Sequence, residues 1–394
     1  MNPVAIFRQY DLVLWALAVY LCSLAFNFTR DVPLALLAAV SLYAFSTREH
    51  PFPRERLVAM WPVLVFLLAS VLVTLVSEDV RQSLRVQVQL LPALLIYAAV
   101  VLGVEKREQQ RFVVIALVFA ALVAELVLMA RILPMWDVPD RLEKMRIIRN
   151  PLIYAPNDVL FFAVWAPLAA YLLFDASRAI KRLGGLYLAL TFVVLIYMQS
   201  RQAIAVYLLS LGVMALLWRP AWGLAVLVGG GALVLLFDWL SGRGLIDKLV
   251  YLFPRRYIWA AAWQMFLDQP WFGHGPGMFK AHYVEYLEKA GYALSQVEDR
   301  RPMNWAHSLY LEQLAERGLT GLLALLTVIA GAVIALWRAF FKKKSWYINA
   351  LLGCWVGFAV AGIAESSLVR LWVVSTLLLL SGLSHLQVRG GVES

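Results

Sequence analysis

Residues 112–130 have the sequence FVVIALVFAALVAELVLMA, an apolar run broken only by the carboxylate of Glu125. Its length matches the roughly 20 residues that an α-helix needs to cross the hydrocarbon core of a bilayer. Comparable runs recur along the 394-residue chain, which is 62% hydrophobic and only 15% charged. Because a soluble core is not built from such runs, the sequence predicts an all-α, polytopic membrane protein.

The hydropathy pattern predicts about twelve transmembrane helices and two longer extramembrane loops. The helices are expected near residues 12–29, 32–46, 58–76, 86–104, 112–133, 156–174, 185–200, 202–218, 221–240, 306–337, 346–363 and 368–388. Residues 1–240 contain helices 1 to 9 and a loop near 134–155, residues 241–305 form a large loop with surface helices, and residues 306–394 contain helices 10 to 12.

Basic residues are distributed unequally between the two sets of loops. Lys and Arg collect in the cytoplasmic loops of membrane proteins. If the N-terminus is cytoplasmic, the cytoplasmic segments hold the larger share, namely Arg8, Arg48, Arg54, Arg56, Lys106, Arg107, Arg111, Arg178, Lys181, Arg182, Arg219, Arg338, Lys342, Lys343, Lys344 and Arg389. The sequence therefore predicts cytoplasmic termini and places both longer loops on the outer side. Since topology accounts for the net charge of +10, no nucleic-acid partner is expected.

Residues that commonly bind metals are few and scattered in the sequence. Cys22 and Cys354, the only cysteines, both lie inside apolar runs, which argues against a disulfide framework or a thiolate metal site. No Asp-rich motif faces outward, and no His and Glu stand at metal-ligand spacing. The sequence therefore predicts no metal site and no other cofactor.

The large loop is rich in aromatic residues, among them Trp259, Trp263, Trp271 and Trp305. Such amphipathic rings settle at the headgroup level of a membrane. Residues 258–267 place apolar side chains at helical spacing, which predicts a short helix lying along the membrane surface. The glycines of Gly273–Gly277 follow no strand, so they predict a tight turn rather than a nucleotide-binding loop.

Three arginines of the outer side are candidates for binding phosphate. Arg201 sits between two apolar runs, where a charge is costly unless it meets a headgroup, a cavity or an anion. Arg255 and Arg256 precede the surface helix, whose N-terminal dipole favours an anion at the same place. Because guanidinium groups bind phosphate oxygens in a bidentate fork, these arginines are suited to a diphosphate without a metal. Snorkelling or ordinary binding of lipid headgroups is the alternative.

His307 is the candidate catalytic residue. It stands at the outer end of the tenth predicted helix, and an imidazole is well suited to accept a proton near neutral pH. The alternative is a structural histidine at the membrane interface. Glu125, Asp158 and Glu365 lie in or near predicted helices, where each is either a proton relay, a helix cap or the partner of an arginine.

Several short motifs resemble the O-antigen ligase and polymerase superfamily of bacterial inner membranes. The strongest is residues 307–321, HSLYLEQLAERGLTG, which looks like the family's histidine followed after ten residues by a glycine. Residues 255–259 and 270–279 resemble the family's Arg-to-Trp and Pro-to-Gly-x-Gly-x-Gly-x-Phe stretches. Residues 156–157, Pro-Asn, resemble a motif at the start of a middle helix.

A further motif, Ser200-Arg201, resembles the family's Ser-Arg-small pattern, although Gln202 replaces the small residue. Because Gln202 departs from the family's pattern, the resemblance does not determine the path of the backbone at this position. By the same resemblance, Ser200, Glu316 and Gly318 are expected to support the motifs that surround the site.

The resemblance implies a GT-C-type glycosyltransferase with an undecaprenyl-diphosphate-linked glycan as donor. Transfer is expected to be inverting and metal-independent, with His307 acting on the acceptor hydroxyl and Arg201, Arg255 and Arg256 on the diphosphate. The chain length fits the O-antigen ligases best, whose acceptor is the lipid A core, and implies a multi-pass protein of the bacterial inner membrane bilayer with a periplasmic active site. An O-antigen polymerase, a transporter or flippase of the lipid-linked glycan, and a non-catalytic assembly partner are the alternatives.

Overall fold

The computed structural model describes residues 9–24, 31–47, 54–133, 159–198, 200–241, 255–297, 300–364 and 367–387. These residues form α-helices, one short 3₁₀ helix at Leu294–Gln296 and no strand. The helices are α1 Gln9–Ser23, α2 Asp31–Ser46, α3 Arg54–Ala59, α4 Trp61–Leu75, α5 Val80–Val88, α6 Leu91–Gly103, α7 Arg107–Ile132, α8 Leu160–Leu172, α9 Arg178–Tyr197, α10 Arg201–Trp218, α11 Pro220–Ser241, α12 Arg255–Asp268, α13 Phe279–Lys289, α14 Leu309–Lys342, α15 Trp346–Ala364 and α16 Leu371–His385. The predicted loop near 134–155 and the Pro-Asn motif at 156–157 lie outside the described residues.

Within the described part of the chain, six helical segments are long and apolar enough to cross a membrane: Val80–Gly103, Arg107–Arg131, Arg178–Tyr197, Arg201–Trp218, Leu309–Lys342 and Trp346–Ile363. Shorter apolar helices stand at Asp11–Ser23, Asp31–Ser46, Trp61–Leu75, Leu160–Leu172, Pro220–Leu236 and Leu371–His385. The all-helical, polytopic class is thereby confirmed, whereas the count of about twelve spans stays a prediction.

Proline separates the apolar helices α4 and α6 from the short helices that precede them. Pro62 and Pro92 stand in the first turns of α4 and α6, where a missing backbone N–H costs nothing but the preceding helix cannot continue. The short helices α3 and α5 therefore end just before them. Asp79 begins α5 by accepting a hydrogen bond from Gln82 N at 2.9 Å, as a good N-cap does.

Helix connections meet alternately at two ends of the bundle. At one end, Arg111 binds Asp175 at 2.6 Å, and Lys344 Nζ donates to Trp218 O at 2.6 Å. The ring of Trp346 stacks on that of Trp218 at 4.3 Å. The charge pattern predicts all of these connections on the cytoplasmic side, and the fold indeed collects them together. Which side of a membrane this end faces stays a prediction.

The other end, here called the loop-bearing end, carries α12 and α13. There Glu78 N, between α4 and α5, donates to His274 O at 3.2 Å. Arg370, before α16, lies over the ring of Trp305 with 4.8 Å between Cζ and the ring centroid. The large loop is thus tied to two other helix connections of the same end.

The main core fills the middle of the bundle, where α10 packs against α8, α11 and α15, and α6 packs against α16. Trp165 and Trp355 are among its largest buried side chains. Glu125, fully buried on α7, accepts a hydrogen bond from Thr191 Oγ1 on α9. The fold therefore gives this carboxylate a hydroxyl partner on a neighbouring helix, and its role as a proton relay, a helix cap or an arginine partner stays a prediction.

The large loop has a second, smaller core of its own. It is formed by α12, α13 and the start of α14, and its buried residues include Ile258, Met265, Phe279, Tyr283 and Ala315. The predicted helix at 258–267 is confirmed as part of α12. Its opposite face leaves large apolar side chains exposed, as a helix resting on a membrane surface requires. The membrane-surface position itself stays a prediction.

A break in α14 joins this loop to the bundle. Gly318 has φ 60° and ψ −160°, a backbone conformation that is essentially restricted to glycine. The N–H groups that follow the break donate outside the helix, Leu319 N to Pro270 O at 2.8 Å and Thr320 N to Trp271 O at 3.1 Å. The sequence predicted a span over 306–337. The structure has a candidate span at Leu309–Lys342 and adds a break at Gly318, where the glycine redirects the chain.

The carbonyl groups just before the break accept hydrogen bonds from the turn at Gly273–Gly277. Ala315 O accepts from His274 N at 3.3 Å, and Glu316 O accepts from Gly275 N at 2.8 Å. The turn is the one predicted at Gly273–Gly277, whose glycines have φ values of 65°, 118° and 79°. Turn and broken helix therefore satisfy each other's backbone groups, as buried segments must.

We expect Gly318→Ala to destabilise the protein strongly. A Cβ at this position would lie 2.4 Å from the carbonyl carbon of Trp271 and 2.6 Å from Phe272 N, and φ is positive. Backbone strain and overpacking together cost at least about 2 kcal/mol. The change should lower Tm in detergent, measured by tryptophan fluorescence. Gly231→Ala on α11 is the matched control, because its Cβ meets nothing within 4 Å and Tm should hold or rise. Equal Tm values for the two variants would contradict the assigned strain.

Candidate functional site

A cavity of about 550 Å³ opens at the loop-bearing end, between α12, α13 and the segment that leads into α14. It is lined by Arg255, Ile258, Tyr283, Val297, Arg301, Pro302, Met303, Asn304, Trp305 and His307. Its wall therefore combines arginine guanidinium groups, an imidazole and aromatic rings. Such a mixture is suited to an anionic ligand that also carries a sugar or an apolar group.

His307 occupies a strained position in the wall of this cavity. Its φ is 51°, which is uncommon for a residue with a side chain, and it immediately precedes the N-cap of α14. Ser308 begins the helix, with its side chain accepting from Leu311 N at 3.5 Å. The imidazole is half-buried and lies 5.7 Å from the ring of Trp305. Helix capping and ring packing hold the histidine where its side chain reaches the cavity.

Arg255 lies at the first position of α12 and lines the same cavity as His307. Arg255 can only donate hydrogen bonds, which requires the oxygen of the neighbouring Gln202 amide, rather than its nitrogen, to face the guanidinium. In that orientation the oxygen accepts from Arg255, with a contact of 3.3 Å to Nη2. Gln202 directly follows Arg201, the first residue of α10, whose side chain is half-buried. The fold thus brings the Ser-Arg motif and the Arg-to-Trp motif to one place, although more than fifty positions separate them in the sequence.

Arg256 has different surroundings from its neighbour. It is exposed, its guanidinium lies 4.5 Å from the centroid of the Tyr257 ring, and it donates to the Tyr257 hydroxyl. It is not among the residues that line the cavity. The diphosphate-binding role predicted for Arg256 stays a prediction, and Arg255 is the better placed of the pair.

None of the three residues that the motifs predicted to support the site lines the cavity itself. Ser200 is buried at the start of α10, and Gly318 breaks α14. Glu316 is buried and accepts from Phe279 N at 3.1 Å, at the first residue of α13. Since α13 carries Tyr283 into the cavity, Glu316 helps to fix one wall. The positions agree with a supporting role, which stays a prediction.

Sequence reasoning missed several residues of this site. Arg301 lines the cavity, and Arg370 lies over the ring of Trp305, which is itself a lining residue. Glu312, fully buried on α14, accepts from Ser367 Oγ at 2.5 Å and so ties α14 to the connection that carries Arg370. The adjacent basic pair at 300–301, in the large loop, was the available sequence signal for Arg301.

A hydrogen bond between α12 and α13 stabilises the loop beneath the cavity. Tyr286 donates to Asp268 Oδ2 at 2.5 Å, linking α13 to the end of α12. This hydrogen bond holds the pKa of Asp268 below its usual range. Burial, together with the same hydrogen bond, raises the pKa of Tyr286 to about 12. Both groups keep the protonation states that the contact needs across the physiological pH range.

The fold and this cavity define a polytopic, all-helical membrane protein with a cationic, histidine-containing site on the folded large loop. Residues 186–326 match the family described as O-antigen ligase. The matched region runs from α9 into α14 and includes Arg201, Arg255, His307 and Gly318. This match supports the membership in the O-antigen ligase and polymerase superfamily that the motifs predicted. No curated protein matches the chain.

Proposed function

We propose that the protein is an O-antigen ligase, a GT-C-type glycosyltransferase that moves O-antigen glycan from undecaprenyl diphosphate to the lipid A core. The reaction takes place on the periplasmic face of the bacterial inner membrane, with inversion at the anomeric carbon and without a catalytic metal. The observation that carries the proposal is the cavity in which Arg255 and His307 meet, inside the region that matches the ligase family.

The arginines act on the leaving group. As the bond between the anomeric carbon and the diphosphate oxygen breaks, negative charge grows on the diphosphate. Arg255 lies on the cavity wall, and Arg201 directly precedes Gln202, the residue that contacts Arg255. We assign this role to both, and Arg301 lines the same cavity. Donors that are fixed in place before the reaction stabilise such charge without reorganising. The N-terminus of α12 adds its dipole at Arg255.

His307 acts on the acceptor. A sugar hydroxyl of the lipid A core attacks the anomeric carbon, and its proton passes to the imidazole, so that undecaprenyl diphosphate departs with the electron pair of the broken bond. A positioned imidazole near its neutral form is an effective general base for this step. The strained backbone of His307 is consistent with this assignment, because strain tends to collect at functional positions.

The outer face of the large loop supports a lipid-linked donor. Trp263 and Leu267 on α12 are 46% and 53% exposed, and Trp271 and Phe272 on the adjoining turn are 66% and 40% exposed. Exposed apolar rings next to a polar cavity suit an interface at which the polyprenyl chain stays in the membrane and the diphosphate enters the protein.

The test is a two-acceptor assay with purified protein in liposomes. Undecaprenyl-diphosphate glycan is supplied with or without lipid A core, in the presence and absence of EDTA, and products are separated by gel mobility. We expect the core to shift in mobility with either buffer, while the lipid-linked glycan keeps its length. Lengthening of the lipid-linked glycan without core would identify a polymerase instead. Absence of covalent product in both tubes, with movement of the donor between leaflets, would identify a transporter.

A further inference from the structure

A cluster of two imidazoles and one carboxylate lies at the loop-bearing end, outside the cavity. Glu78 comes from the connection between α4 and α5, His274 from the glycine turn and His282 from α13. One ligand-type atom of each lies within 4.8 Å of the others. Glu78 Oε1 is 2.5 Å from His274 Nδ1, and Glu78 Oε2 is 2.9 Å from His282 Nε2. Because about 200 residues separate Glu78 from the two histidines, no motif in the sequence indicates this cluster.

The surroundings of His274 set which of its nitrogens carries a proton. The side chain is 1% exposed, and its Nε2 lies 3.2 Å from Met265 O, a group that only accepts hydrogen bonds. The Nε2–H form satisfies that carbonyl and leaves the Nδ1 lone pair directed at the Glu78 carboxylate. Two electron-rich atoms at this distance repel each other unless a cation or a proton lies between them.

His282 presents a similar arrangement from the other side. Its Nε2 is buried and forms no hydrogen bond, although Glu78 Oε2 is 2.9 Å away. Its Nδ1 faces Glu285 at 3.8 Å, and Glu285 is itself engaged by Lys289 at 2.8 Å. A backbone carbonyl or a carboxylate behind the far nitrogen is the arrangement that orients histidine ligands of metals.

From this geometry we propose that Glu78, His274 and His282 bind one divalent transition-metal ion of the zinc class. Imidazole nitrogens with a carboxylate oxygen are ligands that Zn²⁺ accepts in tetrahedral sites, at about 2.0 to 2.2 Å, with water completing the fourth position. Two ligands of one such ion lie roughly 3.3 Å apart. The Glu78–histidine contacts of 2.5 and 2.9 Å are shorter than this and would open as the ion enters, whereas separations of up to 4.8 Å between ligand atoms would close. Rotation of the His282 and Glu78 side chains, which are 19% and 42% exposed, would allow both changes and leaves an entry path.

The ion would act as a structural clip between the bundle and the large loop. None of its three ligands lines the cavity. The same corner is already joined by Glu78 N and Ser77 Oγ, which donate to His274 O at 3.2 and 3.3 Å. The metal would thus fix the glycine turn that completes the broken helix α14, and through it the start of α13. This role does not depend on the transfer reaction.

The experiment measures metal content and stability of the full-length protein in detergent, carrying no polyhistidine tag. Protein is stripped with EDTA, loaded with Zn²⁺ or Co²⁺, desalted and analysed by elemental mass spectrometry, visible absorption and thermal unfolding. We expect about one equivalent of zinc per chain, ligand-field bands with Co²⁺ in place of Zn²⁺, and a Tm that falls by several degrees when the metal is stripped. His282→Gln and Glu78→Gln should lose both the metal and the sensitivity of Tm to EDTA.

His307→Ala is the matched control, because it removes a histidine of the same end but lies in the cavity, and it should retain the full metal content. His282→Gln tests whether loss of the metal leaves transfer intact. At temperatures well below the Tm of this variant, its rate of glycan transfer should stay close to that of the original protein. Zinc content no higher in the original protein than in His282→Gln would overturn the proposal. A Tm that does not change with metal but does change with pH would also overturn the proposal, because a proton rather than a metal ion would then lie between the imidazole and the carboxylate.

Discussion

Replacing His307 with Asn should reduce glycan transfer by about 100- to 10,000-fold, the range that a positioned general base contributes. Asn is chosen because it tolerates the positive φ of 51° at this position and keeps a hydrogen-bonding side chain, but it cannot take up a proton. The loss should appear in kcat, because the acceptor can still bind. The measurement is the initial rate of core modification in liposomes at saturating donor and acceptor.

Met303→Leu is the control for this substitution. Met303 lines the same cavity and is half-buried, yet its thioether has no part in proton transfer, so its replacement should leave the rate nearly unchanged. Unfolding curves of both variants should match that of the original protein. If His307→Asn turned over at the original rate, the histidine would be structural and proton transfer would need another group.

Replacing Arg255 with Lys should reduce kcat by about 100- to 1,000-fold, equivalent to roughly 3 to 4 kcal/mol for a lost donor to a developing anion. Lysine keeps the positive charge but offers no planar fork for two phosphate oxygens, so electrostatic attraction alone cannot restore the rate. It would also lose the contact of the Arg255 guanidinium with the side-chain oxygen of Gln202. Transfer assays with a soluble short-chain donor would separate this effect from membrane binding.

Arg256→Lys is a closely matched control, since the two arginines are adjacent on the first turn of α12. The Arg256 side chain is exposed against Tyr257 and outside the cavity lining, so we expect only a small change in rate. Equal losses for the two substitutions would show that both guanidinium groups bind the diphosphate, as the sequence motif alone suggested. Loss at Arg256 only would reverse the assignment made from the cavity.

Local patterns in the sequence determined much of the architecture. The apolar runs predicted the helices because a backbone in lipid must satisfy its hydrogen bonds within each segment, which makes helix formation a local property. The glycine turn at Gly273–Gly277 and the helix at 258–267 were predicted for the same reason, since dihedral freedom and 3.6-residue periodicity are written in neighbouring residues. The histidine and arginine motifs also identified residues that the fold brings into one cavity, His307 and Arg255.

The features that the sequence did not reveal all depend on which connections meet at one end of the bundle. The break at Gly318 is stable only because the turn at Pro270 and Trp271 supplies acceptors from a distant part of the chain. Arg256 was grouped with Arg255 because they are neighbours in sequence, but successive residues of a helix point in directions about 100° apart, and only one faces the cavity. Glu78 meets His274 because helix packing brings the connection after α4 to the large loop. Local interactions fixed what each segment became, and the packing of all segments together decided which side chains share a site.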